Sequence, residues 1–268
     1  MKDAVSVREL QKNYGSAVVL KGLNLHVYKG EIFGILGGNG AGKTTALECL
    51  EGLRAYSGGS VEINGKTGIQ LQASALPAYI KPLEAVRFFA KWKHAKEDDA
   101  VLSALGIRRL KRRYGELSTG QKRRLHLALA LLGEPDILFL DEPTAGLDAE
   151  GRRSLHLRIR KLKEQGKTIL LASHDMAEIE ALCDRIAILS KGRVAFTGTV
   201  DELSAKAGGR YTIRVLTDTG ERLHTAERIG DGLLSLLESY KARGIPILDI
   251  KISHGTLEEH FIHIAEEE

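Results

Sequence analysis

No apolar run in these 268 residues approaches the 18 or so needed to cross a bilayer. The opening Met1-Lys2-Asp3-Ala4-Val5 also lacks the charged-then-apolar pattern of a secretory leader. The chain is therefore expected to be soluble and cytoplasmic, reaching a membrane only through other proteins. Cysteine is scarce: Cys49 and Cys183 lack metal-ligand spacing, which argues against a disulfide framework or zinc site and for two reduced core thiols. A large excess of one charge is missing too, since a net +4 is too modest to argue for nucleic acid. What remains is an ordinary 43% hydrophobic composition, enough for one large α/β domain with or without a small appendage.

The most informative stretch runs from Glu31 to Leu50. An apolar strand, Ile32 to Leu36, leads into Gly37-Gly38-Asn39-Gly40-Ala41-Gly42-Lys43-Thr44 and then a helical run. So many glycines suit a loop whose backbone N–H groups converge on an anion without Cβ atoms intervening. The match to G-x-x-x-x-G-K-[ST] is complete, with Lys43 placed for the β- and γ-phosphates and the Thr44 hydroxyl for Mg²⁺ at a helix N-terminus. A nucleoside triphosphate is the expected ligand.

Before this loop, Val5 to Leu10 and Val18 to Val27 read as strands around a turn at Asn13-Tyr14-Gly15, and Lys29-Gly30 makes the next turn. Tyr14 is either an exposed ring for an adenine or a packing residue. After the loop, Leu47, Leu50 and Leu53 carry the helix on, Val61 to Ile63 forms a short strand with a hairpin-type turn at Asn64-Gly65, and Gly68 to Leu71 delivers Gln72. From Pro77 to Leu132 the pattern is helical, with Leu83, Val86, Phe89 and Ala90 on one stripe and a second helix near Asp99 to Leu105. Phe88, Phe89 and Trp92 read most simply as core of this insertion, with a partner-binding face as the alternative. The run Arg108-Arg109-Leu110-Lys111-Arg112-Arg113 reads as a solvated face, or as a contact for membrane headgroups or an acidic partner. In Leu117-Ser118-Thr119-Gly120-Gln121, Ser118 and Gln121 form a capping box, leaving Gly120 open to an approaching anion.

Two further buried-strand runs follow. Ile137 to Leu140 ends in Asp141-Glu142-Pro143, and Thr168 to Ala172 ends in Ser173-His174-Asp175. In an open parallel sheet ligands bind beyond the carboxyl ends of the strands, so the glycine-rich loop, the carboxylate pair and His174 should face one another. Asp141 and Thr44 are then expected to hold Mg²⁺ directly or through water, Glu142 to orient or deprotonate water, and Gln72 and His174 to sense the γ-phosphate. The Ser118 helix is surplus to a nucleotide already bound at Lys43, which predicts that each of two chains lends its Ser118 helix to the other's nucleotide. Ile186 to Leu189 and Arg193 to Phe196 make a closing hairpin. Beyond a linker at Lys206 to Arg210, a strand from Tyr211, a helix from Leu233, a strand from Ile245 and a capping box at Thr256 to Glu259 indicate a small α+β appendage. His254, His260 and His263 carry no carboxylate spacing that supports a metal.

With these residues in place, the chain resembles the nucleotide-binding subunit of an ATP-binding-cassette (ABC) transporter over residues 5 to about 203. Tyr14 falls at the adenine-stacking aromatic, Gly37, Gly38, Asn39, Gly40, Ala41, Gly42, Lys43, Thr44 and Thr45 at the Walker A loop, and Gln72 at the Q-loop glutamine, a metal ligand with Thr44 and Asp141. Leu117 to Gln121, with Ser118, Gly120 and Gln121, is the signature motif. Ile137 to Glu142 is the Walker B strand with its catalytic glutamate, Ala145 to Asp148 the D-loop, and His174 the switch histidine. The resemblance implies an α/β P-loop NTPase cassette: a mixed sheet core with an antiparallel β subdomain and a helical subdomain at about 73–132. Residues 1–205 would form the ATPase domain and 206–268 a C-terminal α+β accessory domain.

The resemblance further implies ATP and Mg²⁺ as ligands, hydrolysis coupled to transport, an ATP-dependent head-to-tail dimer, integral membrane permease subunits as partners, and a place on the inner face of the cell membrane. Residues 206 to 268 resemble, less specifically, the extension of the bacterial drug-resistance and efflux branch, through Thr256-Leu257-Glu258-Glu259-His260-Phe261. Two positions depart from the family pattern: Gly38 stands where proline is usual, and Thr119 where the signature has its first glycine. The competing reading is a soluble cassette ATPase acting on ribosomes or DNA. Such proteins usually carry two cassettes in one chain or a long heptad insertion, and the segment between Gln72 and Ser118 has no sustained heptads.

Overall fold

The computed structural model describes residues 2–70, 75–206, 211–218, 220–226 and 228–254. It separates into two compact units, Met1–Thr197 and Gly198–Glu268. Each is a packed body in its own right.

The first unit begins with β1 (Asp3–Tyr14) and β2 (Ala17–Tyr28), an antiparallel pair closed at Gly15-Ser16, so Asn13 and Tyr14 lie within the strand rather than in the turn. Then come β3 (Ile32–Gly37), α1 (Lys43–Leu50), β4 (Gly58–Ile63) and β5 (Thr67–Gln70). The helix α1 stops at Leu50, short of the expected Leu53, which is exposed. Asn64-Gly65 makes no hairpin: β4 joins β1 in the sheet ordered β2-β1-β4, while β5 enters a different sheet. A turn dipeptide between two short strands cannot tell the chain whether the second strand folds back or leaves.

The helical part comprises α2 (Pro82–Trp92), α3 (Asp99–Ala104) and α4 (Thr119–Ala130), followed by β6 (Ile137–Asp141), α5 (Ala149–Glu164), β7 (Thr168–Ser173), α6 (Met176–Leu182), β8 (Arg185–Ser190) and β9 (Arg193–Gly198). The central sheet has the order β5-β6-β7-β3-β8-β9, with parallel pairing from β5 through β8. Its inner strands β3, β6 and β7 are buried along their whole length, which is why each reads as an unbroken apolar run rather than an alternation. Leu10, Leu23, Phe33, Leu47, Phe139 and Leu170 share one core that binds the antiparallel sheet, α1 and the parallel sheet together. That core holds the carboxyl ends of β3, β6 and β7 at fixed spacing.

The aromatic group on α2 corrects one expectation. Its buried side is Ala85, Val86 and Ala90, while Phe88 and Trp92 are 64% and 68% exposed. At 3.6 residues per turn Phe88 lies roughly 200° around the helix from Val86, so small residues fill the interface and large rings face out. The three rings meet edge to face, Phe88 to Phe89 at 5.4 Å and Phe89 to Trp92 at 6.3 Å.

The second unit holds α7 (Val200–Lys206), β10 (Tyr211–Thr217), β11 (Gly220–Ala226), α8 (Ile229–Ala242) and β12 (Ile247–His254), with sheet order β11-β10-β12, both pairs antiparallel. Ile213, Val215 and Tyr240 form its core, and His224 Nε2 lies 2.9 Å from the Tyr240 hydroxyl. The polar β11 carries too few apolar residues to be legible as a strand. It is an edge, held by ladder bonds to β10. The segment around Thr256 to Phe261, with His260 and His263, lies outside the described residues. Among the described residues no helix is long and apolar enough to cross a membrane, and Cys49 and Cys183 are free thiols.

Candidate functional site

Three strand ends meet in register. Leu36 of β3 pairs with Ser173 of β7, and Asp141 of β6 pairs with Ala172, so the loop after Gly37, the Asp141-Glu142 pair and His174 emerge side by side. The loop and His174 lie more than 130 positions apart in the sequence; the parallel pairing brings all three together.

The loop is shaped by its glycines at specific points. Gly42, at φ 103°, caps α1, and a Cβ there would sit 2.9 Å from Leu20 Cδ2. A side chain is thus excluded both by backbone conformation and by space. Gly42 offers the helix no side-chain acceptor, and the first turn of α1 carries no acidic residue. The leading amides of a full two-turn helix are left for an anion. Gly38, by contrast, has a negative or extended φ and nothing within 4 Å of an added Cβ, so the structure does not demand glycine where the family pattern has proline.

Lys43 is buried and its ammonium donates to Gly37 O at 2.8 Å and Gly38 O at 3.2 Å. Burial pushes its pKa down, against the pull of Glu142 and Asp141. An ammonium held on two neutral carbonyls is under-compensated, and a phosphate oxygen is a stronger acceptor for it. Asp141 is also buried. Desolvation raises its pKa, the Thr44 side-chain hydrogen bond lowers it, and its Oδ1 has no partner among the described residues. An orphaned carboxylate oxygen beside a threonine hydroxyl fits a hard divalent cation that takes oxygen ligands. Gln72 lies outside the described residues.

Glu142 is one of the few non-glycine residues in the left-handed region, at φ 48°, where its amide donates to Ala172 O at 2.9 Å. A glutamate held there costs about 1–3 kcal/mol, and such strain concentrates where a side chain must be aimed. Its Oε1 lies 2.7 Å from His174 Nδ1. His174 is held in turn by its neighbours: Ser173 Oγ donates to Glu178 Oε2 at 2.6 Å and accepts from Asp175 N at 3.0 Å, and Asp175 caps α6. Ser173 and Glu178 were not singled out by the sequence, since nothing in their spacing marks them.

Gln70 was missed as well. It is buried at the end of β5 opposite Leu140, with both amide atoms unpartnered among the described residues. Glu51, at the C-terminus of α1, has both carboxylate oxygens buried without a partner among the described residues. Desolvation first, then Asp141 and Glu48, push its pKa up to about 8. Tyr14 is 42% exposed, with Lys12 Nζ 4.9 Å and Arg54 5.4 Å from its ring.

The Ser118 elements form a separate cleft of about 460 Å³, lined by Ser118, Gly120, Arg123, Gly146 and Asp148. None of residues 37 to 45 lines it. The capping box is present: Ser118 N donates to Gln121 Oε1 at 3.0 Å, and Gln121 N to Ser118 Oγ at 3.3 Å. Gln121 is therefore committed to the helix end. An added Cβ on Gly146 would lie 3.4 Å from the Thr119 methyl, so the departure at Thr119 fills space beside the D-loop. Asp148 caps α5 through Gly151 N at 2.7 Å.

Comparison with known proteins now bears on this geometry. The family model described as ABC transporter matches residues 20–145. A daunorubicin resistance ATP-binding protein of Streptomyces coeruleorubidus is 32% identical, the alignment covering 98% of this chain and 96% of that protein. A Nod factor export ATP-binding protein I of Cupriavidus metallidurans is 34% identical over 91% of this chain and 85% of that protein. A solved ATP-binding subunit of an ABC transporter superposes with a TM-score of 0.70 at 28% identity, covering 76% of this chain and 93% of its own.

Proposed function

Because this chain belongs to the ABC transporter family of ATP-binding proteins, whose members are ATPases, we propose that it is the ATP-hydrolysing subunit of an exporter with separately encoded permeases. The amides of α1 and Lys43 take the β- and γ-phosphates, Lys43 exchanging the Gly37 and Gly38 carbonyls for phosphate oxygens. Tyr14 stacks on the adenine. Thr44 and Asp141, with Gln72, would hold Mg²⁺, which when bound supplies neutralisation of the charge that develops on the transferring phosphoryl group. Glu142 accepts the proton of the attacking water, and His174 positions the Glu142 carboxylate through the 2.7 Å contact.

The observation that carries this reading is the pairing of a triphosphate loop with a Glu142–His174 contact at the ends of adjoining strands. Export is supported by the relatives, whose names include drug resistance and Nod factor export. Phe88 and Trp92 are the proposed contact with a permease, since two exposed rings on one helix are an unusual cost for a surface that stays in water. The chain sits on the inner face of the membrane through that contact, and residues 206–268 act as an accessory domain to the ATPase domain of 1–205.

The separate Ser118 cleft supports head-to-tail pairing, each nucleotide lying between one copy's Lys43 and the other's Ser118 and Gly120. Light scattering on the Glu142→Gln variant tests it. A mass near twice 29.3 kDa is expected with ATP·Mg²⁺ and a monomer without it. Ser118→Arg should abolish the doubling and spare ATP binding. Normal dimerisation of Ser118→Arg would overturn the completion of the site in trans.

A further inference from the structure

A second pocket, of about 480 Å³, lies on the helical part behind the start of α4. It is lined by Ser103, Gly106, Arg109, Gln121, Arg124 and Arg158, among others, and among the described residues no carboxylate lines it. Three guanidinium groups around one pocket repel one another, and the half-buried Arg124 and Arg158 lose hydration as well. Asp99, on the adjoining α3, is paired with Arg108. Arg158 Nη1 donates to Ala104 O at the end of α3, which satisfies one of its donors. Its Nε remains buried with no partner among the described residues, and so does Nε of Arg124. Burial and then the neighbouring Arg124 both lower the pKa of Arg158. Guanidinium groups gathered at one concavity, two of them with an unpartnered Nε among the described residues, are the donor set for a tetrahedral oxyanion.

We propose that Arg109, Arg124 and Arg158 form a phosphate-binding site separate from the nucleotide loop, taking a phosphate group either free in solution or on a lipid headgroup. Ser103 supplies a hydroxyl at the rim. Gln121 lines the same pocket and also closes the capping box on Ser118, so an occupied pocket abuts the third residue of the helix that carries Ser118. This site does not depend on the ATPase reading.

The test uses the full chain in a Lys43→Ala background, which weakens the nucleotide loop as a competing phosphate site. Calorimetric titration with inorganic phosphate and with pyrophosphate gives the solution arm. Flotation with phosphatidylcholine vesicles, with and without phosphatidic acid, gives the lipid arm. Binding in either arm is expected to weaken roughly 10- to 100-fold in Arg158→Leu, the effect of losing one charged hydrogen-bonding partner. Arg109→Ala, at an exposed position, carries the test if Arg158→Leu does not fold. Arg158→Lys keeps charge but not the fork and should fall between. A phosphate effect confined to the solution arm identifies a free anion, and one confined to vesicles identifies a headgroup. No saturable binding in either arm, or binding unchanged in both Arg158→Leu and Arg109→Ala, overturns the proposal.

Discussion

Replacing Glu142 by glutamine separates what this side chain does from what it costs. Glutamine keeps the length and hydrogen-bonding shape but cannot take a proton from water. It also inherits the left-handed φ of 48° at similar cost, so the backbone gains no relief. The loss in the folded state is the charged part of the 2.7 Å contact with His174, whose side chain is 59% exposed. Solvent screening holds that loss below about 1 kcal/mol. Turnover is a different matter: losing a positioned base lowers the rate by about 10²- to 10⁴-fold, equivalent to about 2.7–5.5 kcal/mol of barrier. Phosphate release at saturating ATP·Mg²⁺ measures the rate, calorimetry with ATP measures affinity, and a thermal melt measures the fold. The expected result is unchanged affinity, a melt shifted by a few degrees at most, and collapse of the rate. Glu142→Gly is the informative companion, because it releases about 1–3 kcal/mol of backbone strain while deleting the same base. It should be as inactive as Glu142→Gln. A glutamine variant within threefold of the parent rate would refute the assignment of Glu142, even if every binding experiment behaved as expected.

Three other outcomes follow from buried groups and loop geometry. Glu51 is protonated more readily when folded, its pKa lying near 8 against an ordinary 4.5, so stability should fall as pH rises from about 4.5 through 8. Glu51→Gln should flatten denaturant-unfolding free energies across that window and gain several kcal/mol above pH 8; an unchanged slope counts against a buried neutral carboxyl. His126 has the opposite sign: burial first, then Arg123 and Lys122, push it down to about 4, with its Nε2 2.9 Å from the Tyr114 hydroxyl. Its contribution is whole above about pH 6.5 and fades toward pH 4 by roughly 3 kcal/mol, so acid unfolding of His126→Gln should lose that dependence. In the loop, Gly42→Ala must meet both φ 103° and Leu20 at 2.9 Å and should cost at least about 1 kcal/mol along with much of the ATP affinity. Gly38→Ala meets nothing and should be neutral or stabilising by up to about 1 kcal/mol. Equal effects at the two glycines in melts and ATP titrations would contradict the loop geometry.

Much of the nucleotide site was legible because it is made of local patterns. An apolar run, a glycine-rich loop and a helix signal specify β3, the loop and α1 over consecutive residues, and Ser118 with Gln121 specify a capped helix in four. The strand ends at Asp141 and His174 were legible because fully buried parallel strands must be continuous apolar runs. The misplaced elements have a common cause. Phe88 and Trp92 look like core by composition, yet which side of α2 is covered depends on α4 and its neighbours, not on α2. Asn64-Gly65 is a turn in either topology, and only the partner strands decide that β4 and β5 part company.

The sequence by itself determined the chemistry available to this protein: a glycine-rich loop, a lysine and threonine after it, and acids and a histidine at the ends of apolar strands. Those depend on residue type and on spacing within a few positions, where local sterics and hydrogen bonding act. The tertiary structure decided what those groups meet. Among the described residues it left Asp141 Oδ1 and both Glu51 carboxylate oxygens without a hydrogen-bond partner, and it put Glu142 within 2.7 Å of His174 and gathered Arg109, Arg124 and Arg158 around one pocket. Burial and the proximity of residues distant in sequence are set by how whole elements pack. That is why Arg124 and Arg158, unremarkable along the chain, become half-buried neighbours in the fold.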